Sequence, residues 1–239
     1  INQKTDKADE NCSQNFLKLI EKRISGEPLQ YILGEWSFMG FDFKVGRGVL
    51  IPRDDTEVVV NLCIDFLKNR ADKKTVDLCS GSGAIAVALD KISGAEVTAV
   101  EIDETAFSYL ETNVKENNSS VKPVMADALE ICETFADGGL DLIVSNPPYI
   151  KSADIETLQK EVQLEPRLAL DGGEDGCDFY REIVNRWSRK LKKGGALAFE
   201  LGEGQADAVK ALMTDKGFSD FKISLDFGGV QRAIIGTLL

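Results

Sequence analysis

Downstream of residue 75, short apolar runs alternate with longer segments whose apolar residues recur at helical spacing, the pattern of a largely parallel sheet covered by helices. Strands are predicted at 75–78, 96–101, 122–125, 140–145, 196–201, 221–225 and 233–237, and helices at 84–92, 105–117, 178–191 and 205–216. The last two strands are separated only by Asp226-Phe227-Gly228-Gly229-Val230, too short for a crossover helix, so they are expected to pair as an antiparallel hairpin. The fold class is therefore α/β, with seven strands.

Before residue 75 the pattern changes. Residues 15–23 read as a short amphipathic helix ended by Gly26 and Pro28, residues 36–51 as a glycine-punctuated hairpin stopped by Pro52, and residues 56–68 as a helix leading into the sheet. The 239 residues allow one large domain, or one domain with a small appendage. An ordinary 43% hydrophobic and 28% charged composition implies a real core rather than disorder. No apolar stretch approaches the roughly 20 residues that span a bilayer, and the polar start Ile1-Asn2-Gln3-Lys4 is unlike a signal peptide, so a cytoplasmic chain is expected. A first residue other than Met suggests a piece of a longer chain.

Charge and the reactive residue types narrow the chemistry. Lys and Arg number 28 against 40 Asp and Glu, a net charge of −12 that disfavours a phosphate backbone as partner; no direct nucleic-acid binding is expected. Histidine is absent, which removes Ser-His and Cys-His nucleophiles and any His-based zinc site. Five scattered cysteines without a C-x-x-C pair read as reduced structural thiols, and no metal site is expected.

Asp77-Leu78-Cys79-Ser80-Gly81-Ser82-Gly83-Ala84 joins a predicted strand to a predicted helix, with Gly81 and Gly83 permitting close backbone approach to a ligand. Eighteen residues beyond Gly83, Glu101 ends the next strand, where a carboxylate suits both hydroxyls of a ribose. The loop lacks the G-x-G-x-x-G spacing of dinucleotide sites. S-adenosylmethionine, which has no pyrophosphate to cradle, fits better than NAD. Asp127, with Ala128 beside it, is placed either to meet the adenine edge or to cap the following segment. These loops and Asn146 all fall at one carboxyl edge, where open parallel sheets bind ligands.

Asn146-Pro147-Pro148-Tyr149 follows the apolar run 140–145. An amide or amino-aromatic nitrogen is a poor nucleophile, and a site that alkylates it must hold its NH2 with well-placed acceptors. The Asn146 side-chain oxygen and the Pro147 carbonyl can take one N–H each, while Pro148 stiffens the turn and Tyr149 offers a flat face to a planar group. Asn146 is also within reach of the cofactor's amino-acid end. A plain strand-ending turn is the alternative.

Taken together, the glycine loop, Asn146-Pro147-Pro148-Tyr149-Ile150, Val49-Leu50-Ile51-Pro52-Arg53-Asp54-Asp55-Thr56-Glu57, Glu165-Pro166-Arg167-Leu168-Ala169-Leu170 and Asp175-Gly176-Cys177-Asp178-Phe179-Tyr180 resemble the release factor glutamine methyltransferase family. The resemblance implies a Rossmann-like class I methyltransferase fold, S-adenosyl-L-methionine as cofactor, and methylation of a protein glutamine in the Gly-Gly-Gln loop of peptide chain release factors. It assigns the target amide to Asn146, Pro147, Pro148 and Tyr149, and the cofactor to Cys79, Ser80, Gly81, Ser82, Gly83, Glu101, Asp127, Ala128 and Asn146. It divides the chain into a partial helical substrate-docking domain over 1–34, a linking hairpin over 35–57 and a methyltransferase domain over 58–239. Arg53 and Glu57 are read as an ion pair or as part of the substrate channel, and Glu165 as a guide for the incoming loop or a solvated carboxylate. Two positions depart from the family: Cys79 replaces a glycine, so its Cβ must tuck away from the cofactor, and Asp54 replaces a proline. Adenine-N(6) nucleic-acid methyltransferases share the Asn-Pro-Pro-Tyr motif. They remain the alternative, with ribosomal-protein glutamine methyltransferases and a non-catalytic module of the same fold.

Overall fold

The computed structural model describes residues 10–239; the polar start and the first nine residues of the expected docking domain lie outside the described residues. In chain order the elements are α1 (Glu10–Ile24), α2 (Leu29–Leu33), β1 (Glu35–Phe38), β2 (Phe41–Lys44), α3 (Thr56–Leu67), β3 (Lys74–Leu78), α4 (Ala84–Ser93), β4 (Glu96–Glu101) and α5 (Glu104–Glu116). There follow β5 (Lys122–Met125), β6 (Leu140–Ser145), α6 (Lys160–Gln163), α7 (Asp178–Trp187), β7 (Leu191–Glu200), α8 (Ala206–Asp215), β8 (Phe218–Leu225) and β9 (Gln231–Leu238).

Seven strands form one sheet in the order β5-β4-β3-β6-β7-β9-β8. The first five are parallel, whereas β9 runs antiparallel to both β7 and β8. Alternate residues along the central strands serve opposite faces. Leu142, Val144, Ala196 and Ala198 join the core beneath α3 and α4, while Ile143, Leu197 and Phe199 join the one beneath α7 and α8. That is why 140–145 reads as an unbroken apolar run: both faces of β6 are covered, and all six residues are buried. Helix α7 shows the complementary rule, burying Tyr180, Ile183, Val184 and Trp187 at helical spacing.

Strands β7 and β8 begin earlier than expected, at Leu191 and Phe218, and the structure departs from expectation in four other places. The hairpin is confined to β1 and β2, turning through Met39 and Gly40 at positive φ, because the backbone beyond Lys44 finds other partners. Asn113 on α5 both accepts from the Lys44 N–H and donates to its carbonyl, and the Ile51 N–H donates to Glu165. Residues 46–51 are consequently a loop. A five-residue helix, α2, follows Pro28 and ends at Gly34 in the left-handed region, whose N–H donates to the Gln30 carbonyl. Helix α7 stops at Trp187 in a tighter turn over Ser188–Lys190, since β7 begins at Leu191, paired to Leu140. Helix α1 extends beyond the expected 15–23.

Among the described residues no helix is long and apolar enough to cross a membrane, and no cluster of three or more His, Cys, Asp or Glu side chains is arranged to hold a metal ion.

Candidate active site

Strand register assembles the site. Leu78 pairs with Val100 on one side and Ser145 on the other, Glu101 pairs with Met125, and Ser145 pairs with Phe199. The residues that follow each strand therefore emerge along one carboxyl edge. There they face a cavity of about 260 Å³ whose lining includes Cys79, Ser80, Gly81, Ser82, Glu101, Asp127, Ala128, Asn146 and Pro148.

Main-chain hydrogen bonds shape the turn after β3. Ser80 N–H donates to the Val100 carbonyl, Gly83 N–H to the Ser80 carbonyl, and Gly81 N–H to Glu101 Oε2 at 2.7 Å. The two glycines differ in role. Gly81, at φ 54°, has open space where a Cβ would stand, a hollow suited to a ligand. Gly83, at φ 82°, caps α4 and lies so close to α5 that a Cβ would meet Leu110 at 2.5 Å; it packs helices and is not in the lining. Cys79 adopts the left-handed conformation at φ 59°. Burial, reinforced by the charge of Glu101, pushes its thiol up to about 12, so it is a neutral, unreactive wall.

Glu101 is more engaged than a free ribose ligand would be. Besides the Gly81 bond, its Oε1 accepts from the Ile102 and Asp103 N–H groups at 2.9 and 2.8 Å. These bonds leave about one acceptor position of the roughly four on a carboxylate, on Oε2, for a ligand hydroxyl. Asp127 does cap its own segment, Oδ1 accepting from Leu129 N–H at 2.7 Å, while still lining the cavity. The Ala128 carbonyl accepts from Trp187 Nε1 at 2.8 Å, which ties this wall to α7.

Asn146 is half-buried at the end of β6. Its Nδ2 donates to Thr56 Oγ1 at 3.5 Å, whereas its side-chain oxygen and the Pro147 carbonyl accept no hydrogen bond among the described residues. Pro147 and Tyr149 lie outside the cavity lining. Tyr149 instead packs on the core below and donates through its hydroxyl to Glu200 Oε1 at 3.1 Å. Burial and the neighbouring Glu200 charge raise its phenol well above the usual range, so it stays neutral.

Several contacts at the site differ from those expected. Arg53 pairs with Glu165, not with Glu57, whose Oε1 accepts from the Met39 N–H. Glu165 is not solvated. Its side chain is 1% exposed, and besides Arg53 it accepts from the Ile51 N–H at 3.0 Å. This clamp draws Leu50, Ile51 and Pro52 beside Pro166, Leu168 and Ala169, and both stretches line the cavity opposite the sheet edge, with Phe179 from the first turn of α7. Two further carboxylates are buried at strand ends. Burial pushes Asp77 up to about 7, although Ser80 Oγ donates to its Oδ2 at 2.8 Å, and Glu200 likewise up to about 7. Each keeps one oxygen without a partner.

The donor set fits a nucleoside-bearing sulfonium cofactor: an open glycine hollow, a fixed carboxylate on the neighbouring strand and an apolar enclosure. Fold and edge together define a class I, S-adenosylmethionine-dependent methyltransferase. Residues 53–205 match the family model described as "Methyltransferase small domain", and residues 2–34 the one described as "PrmC N-terminal domain". The release factor glutamine methyltransferase of Geobacter sulfurreducens is 43% identical over 222 residues, 92% of this chain and 76% of that protein. That of Thermodesulfovibrio yellowstonii is 38% identical over 91% of this chain and 78% of its own length. Among solved structures, a methyltransferase from Pyrococcus furiosus shares the fold with a TM-score of 0.61 at 21% identity, covering 96% of this chain and 98% of that one. The chain belongs to the release factor glutamine methyltransferase family.

Proposed function

We propose that this protein methylates the side-chain amide nitrogen of a glutamine in a partner protein, the Gly-Gly-Gln loop of peptide chain release factors, in the cytoplasm. The observation that carries the reading is the pair of uncommitted acceptors at the end of β6, the Asn146 side-chain oxygen and the Pro147 carbonyl, next to a cavity built for the cofactor. A primary amide presents two N–H groups, and two acceptors on one rigid turn hold both.

When bound, the cofactor supplies a sulfonium-activated methyl group. The chain's own residues contribute position and electrostatics. Gly81 and Glu101 seat the nucleoside end, Asp127 and Ala128 border the base, and Asn146 with Pro147 orients the amide. A new N–C bond forms as the S–C bond breaks, and the alkylated amide loses its proton to water, so no histidine is needed. Tyr149 acts from behind the turn in this reading, through Glu200. Residues 1–34 serve docking of the partner, 35–57 link, and 58–239 carry the transfer; the acidic balance of the chain favours a protein over a nucleic-acid target.

The test is incubation with isotopically labelled cofactor and a bacterial release factor, followed by mass mapping of the modified peptide. Label on the glutamine of the Gly-Gly-Gln loop is the expected result. Label confined to added nucleic acid would overturn the reading.

A further inference from the structure

Behind the Asn146 turn lies a carboxylate to which no chemistry has been assigned. Because Ser145 pairs with Phe199, the next residue on β7, Glu200, stands level with Asn146, which follows β6. Glu200 is 2% exposed. Its Oε1 accepts from the Tyr149 hydroxyl, and its Oε2 is buried with no hydrogen-bond partner. Thr56, itself buried at the start of α3, brings the hydroxyl that neighbours this carboxylate and favours its charged form. The same Thr56 oxygen takes the N–H of Asn146.

We propose that Glu200 is a positioning residue that acts through Thr56 to fix which end of the Asn146 carboxamide faces the target. The inference rests on the acceptor role of Asn146 given above. An ionised carboxylate only accepts, and a hydroxyl has one hydrogen to give. If Thr56 donates to Glu200, its oxygen is left to accept, and Asn146 must turn its NH2 toward Thr56 and its oxygen toward the target amide. A flipped carboxamide would set oxygen against oxygen at Thr56 and offer the target's NH2 another donor. The Tyr149 hydroxyl bond pins the far end of the same four-residue turn to the same carboxylate.

Protonation should release this order. A neutral Glu200 carries a hydrogen of its own and can donate to Thr56, which frees the hydroxyl hydrogen to point at Asn146. Burial raises Glu200 to about 7; the neighbouring Thr56 and Tyr149 hydroxyls and the charge of Arg232 oppose that shift, and the charge of Asp55 adds to it. Turnover is therefore expected to fall as pH drops through about 7.

The experiment uses the full chain, a bacterial release factor and saturating cofactor, with cofactor affinity measured separately by calorimetry. Glu200→Gln mimics the neutral acid in shape and can donate to Thr56. It is expected to lower kcat about tenfold or more, to leave the cofactor Kd within about twofold, and to abolish the acid limb of the pH profile. Thr56→Val is expected to give a similar loss, from which Thr56→Ser recovers by restoring the hydroxyl. The double variant Glu200→Gln/Thr56→Val should be no worse than the more impaired single one, because both break one chain of bonds. Wild-type turnover in Glu200→Gln, losses that multiply in the double variant, or a flat wild-type profile between pH 6 and 8 would overturn the inference. Should Glu200→Gln not fold, the Thr56 pair decides. Asn146→Ala separates the two claims: if it retains turnover, the acceptor reading itself fails, and if it alone loses turnover, only the positioning role does.

Discussion

The wall of the cavity that carries Cys79, Glu101, Asp127 and Asn146 hangs from four neighbouring strands, whereas the facing wall, Leu50 to Pro52 and Pro166 to Ala169, consists of loops tied together chiefly by Arg53 and Glu165. On the strand wall Glu101 is itself paired to Met125, and Cys79, Asp127 and Asn146 sit one to two positions beyond a laddered pair, so their places are set by many cooperative hydrogen bonds. On the loop wall one nearly fully buried carboxylate holds two segments more than a hundred residues apart in sequence. The difference teaches where such a site is held by many bonds and where by few: one wall hangs from the sheet, the other from a single clamp.

The sharpest way to probe the strand wall is its buried charge. Asp77 is raised from 3.8 to about 7, burial being the main cause. Between those values the folded protein holds a proton that the unfolded chain releases, so Asp77 stabilises the fold at the acid end and that contribution is lost as pH rises toward 7. Asp77→Asn should flatten the decline in unfolding free energy between pH 5.5 and 7.5, which approaches about 1.4 kcal/mol per pH unit below about 7 and fades above it. Glu200 keeps its own slope in both proteins, so the difference isolates Asp77. Parallel urea titrations of the two proteins would show it, and identical slopes would contradict it.

The loop wall should break at its clamp. Glu165→Ala leaves the Ile51 N–H and the half-exposed Arg53 without their partner, a cost of about 2 kcal/mol. The accompanying loss is expected in KM for the protein target more than in cofactor Kd. An equal loss in both would mean that the two walls are not mechanically separate. The smallest effect concerns Glu101. Glu101→Gln retains the shape but replaces an acceptor oxygen by a donor group, and should weaken cofactor binding about tenfold, or roughly 1.4 kcal/mol, with little change in kcat at saturation.

The same contrast explains what could be read from the chain alone. Apolar runs bounded by turn residues mark the strands, and strand ends mark Gly81, Glu101, Asp127 and Asn146, because local sequence dictates both. Nothing local marks Glu165. Before its partners are known it is an acidic residue ahead of a proline, and only tertiary packing makes it a buried acceptor for Ile51 and Arg53. Glu200 and Asp77 are similarly hidden, being acidic residues at strand ends with nothing local to mark their burial. Tyr149 is legible only in part: an aromatic after two prolines suggests a stacking face, but nothing local tells that its hydroxyl donates to Glu200. Gly83, likewise, answers to helix packing rather than to a ligand.

The most direct measurement is single-turnover methyl transfer by Asn146→Ala to a release factor, with cofactor affinity determined on the same preparation. A loss of about a hundredfold or more in the transfer rate, with cofactor Kd changed only a few-fold, is what two acceptors gripping one amide require. A transfer rate close to that of the unaltered protein would contradict the account.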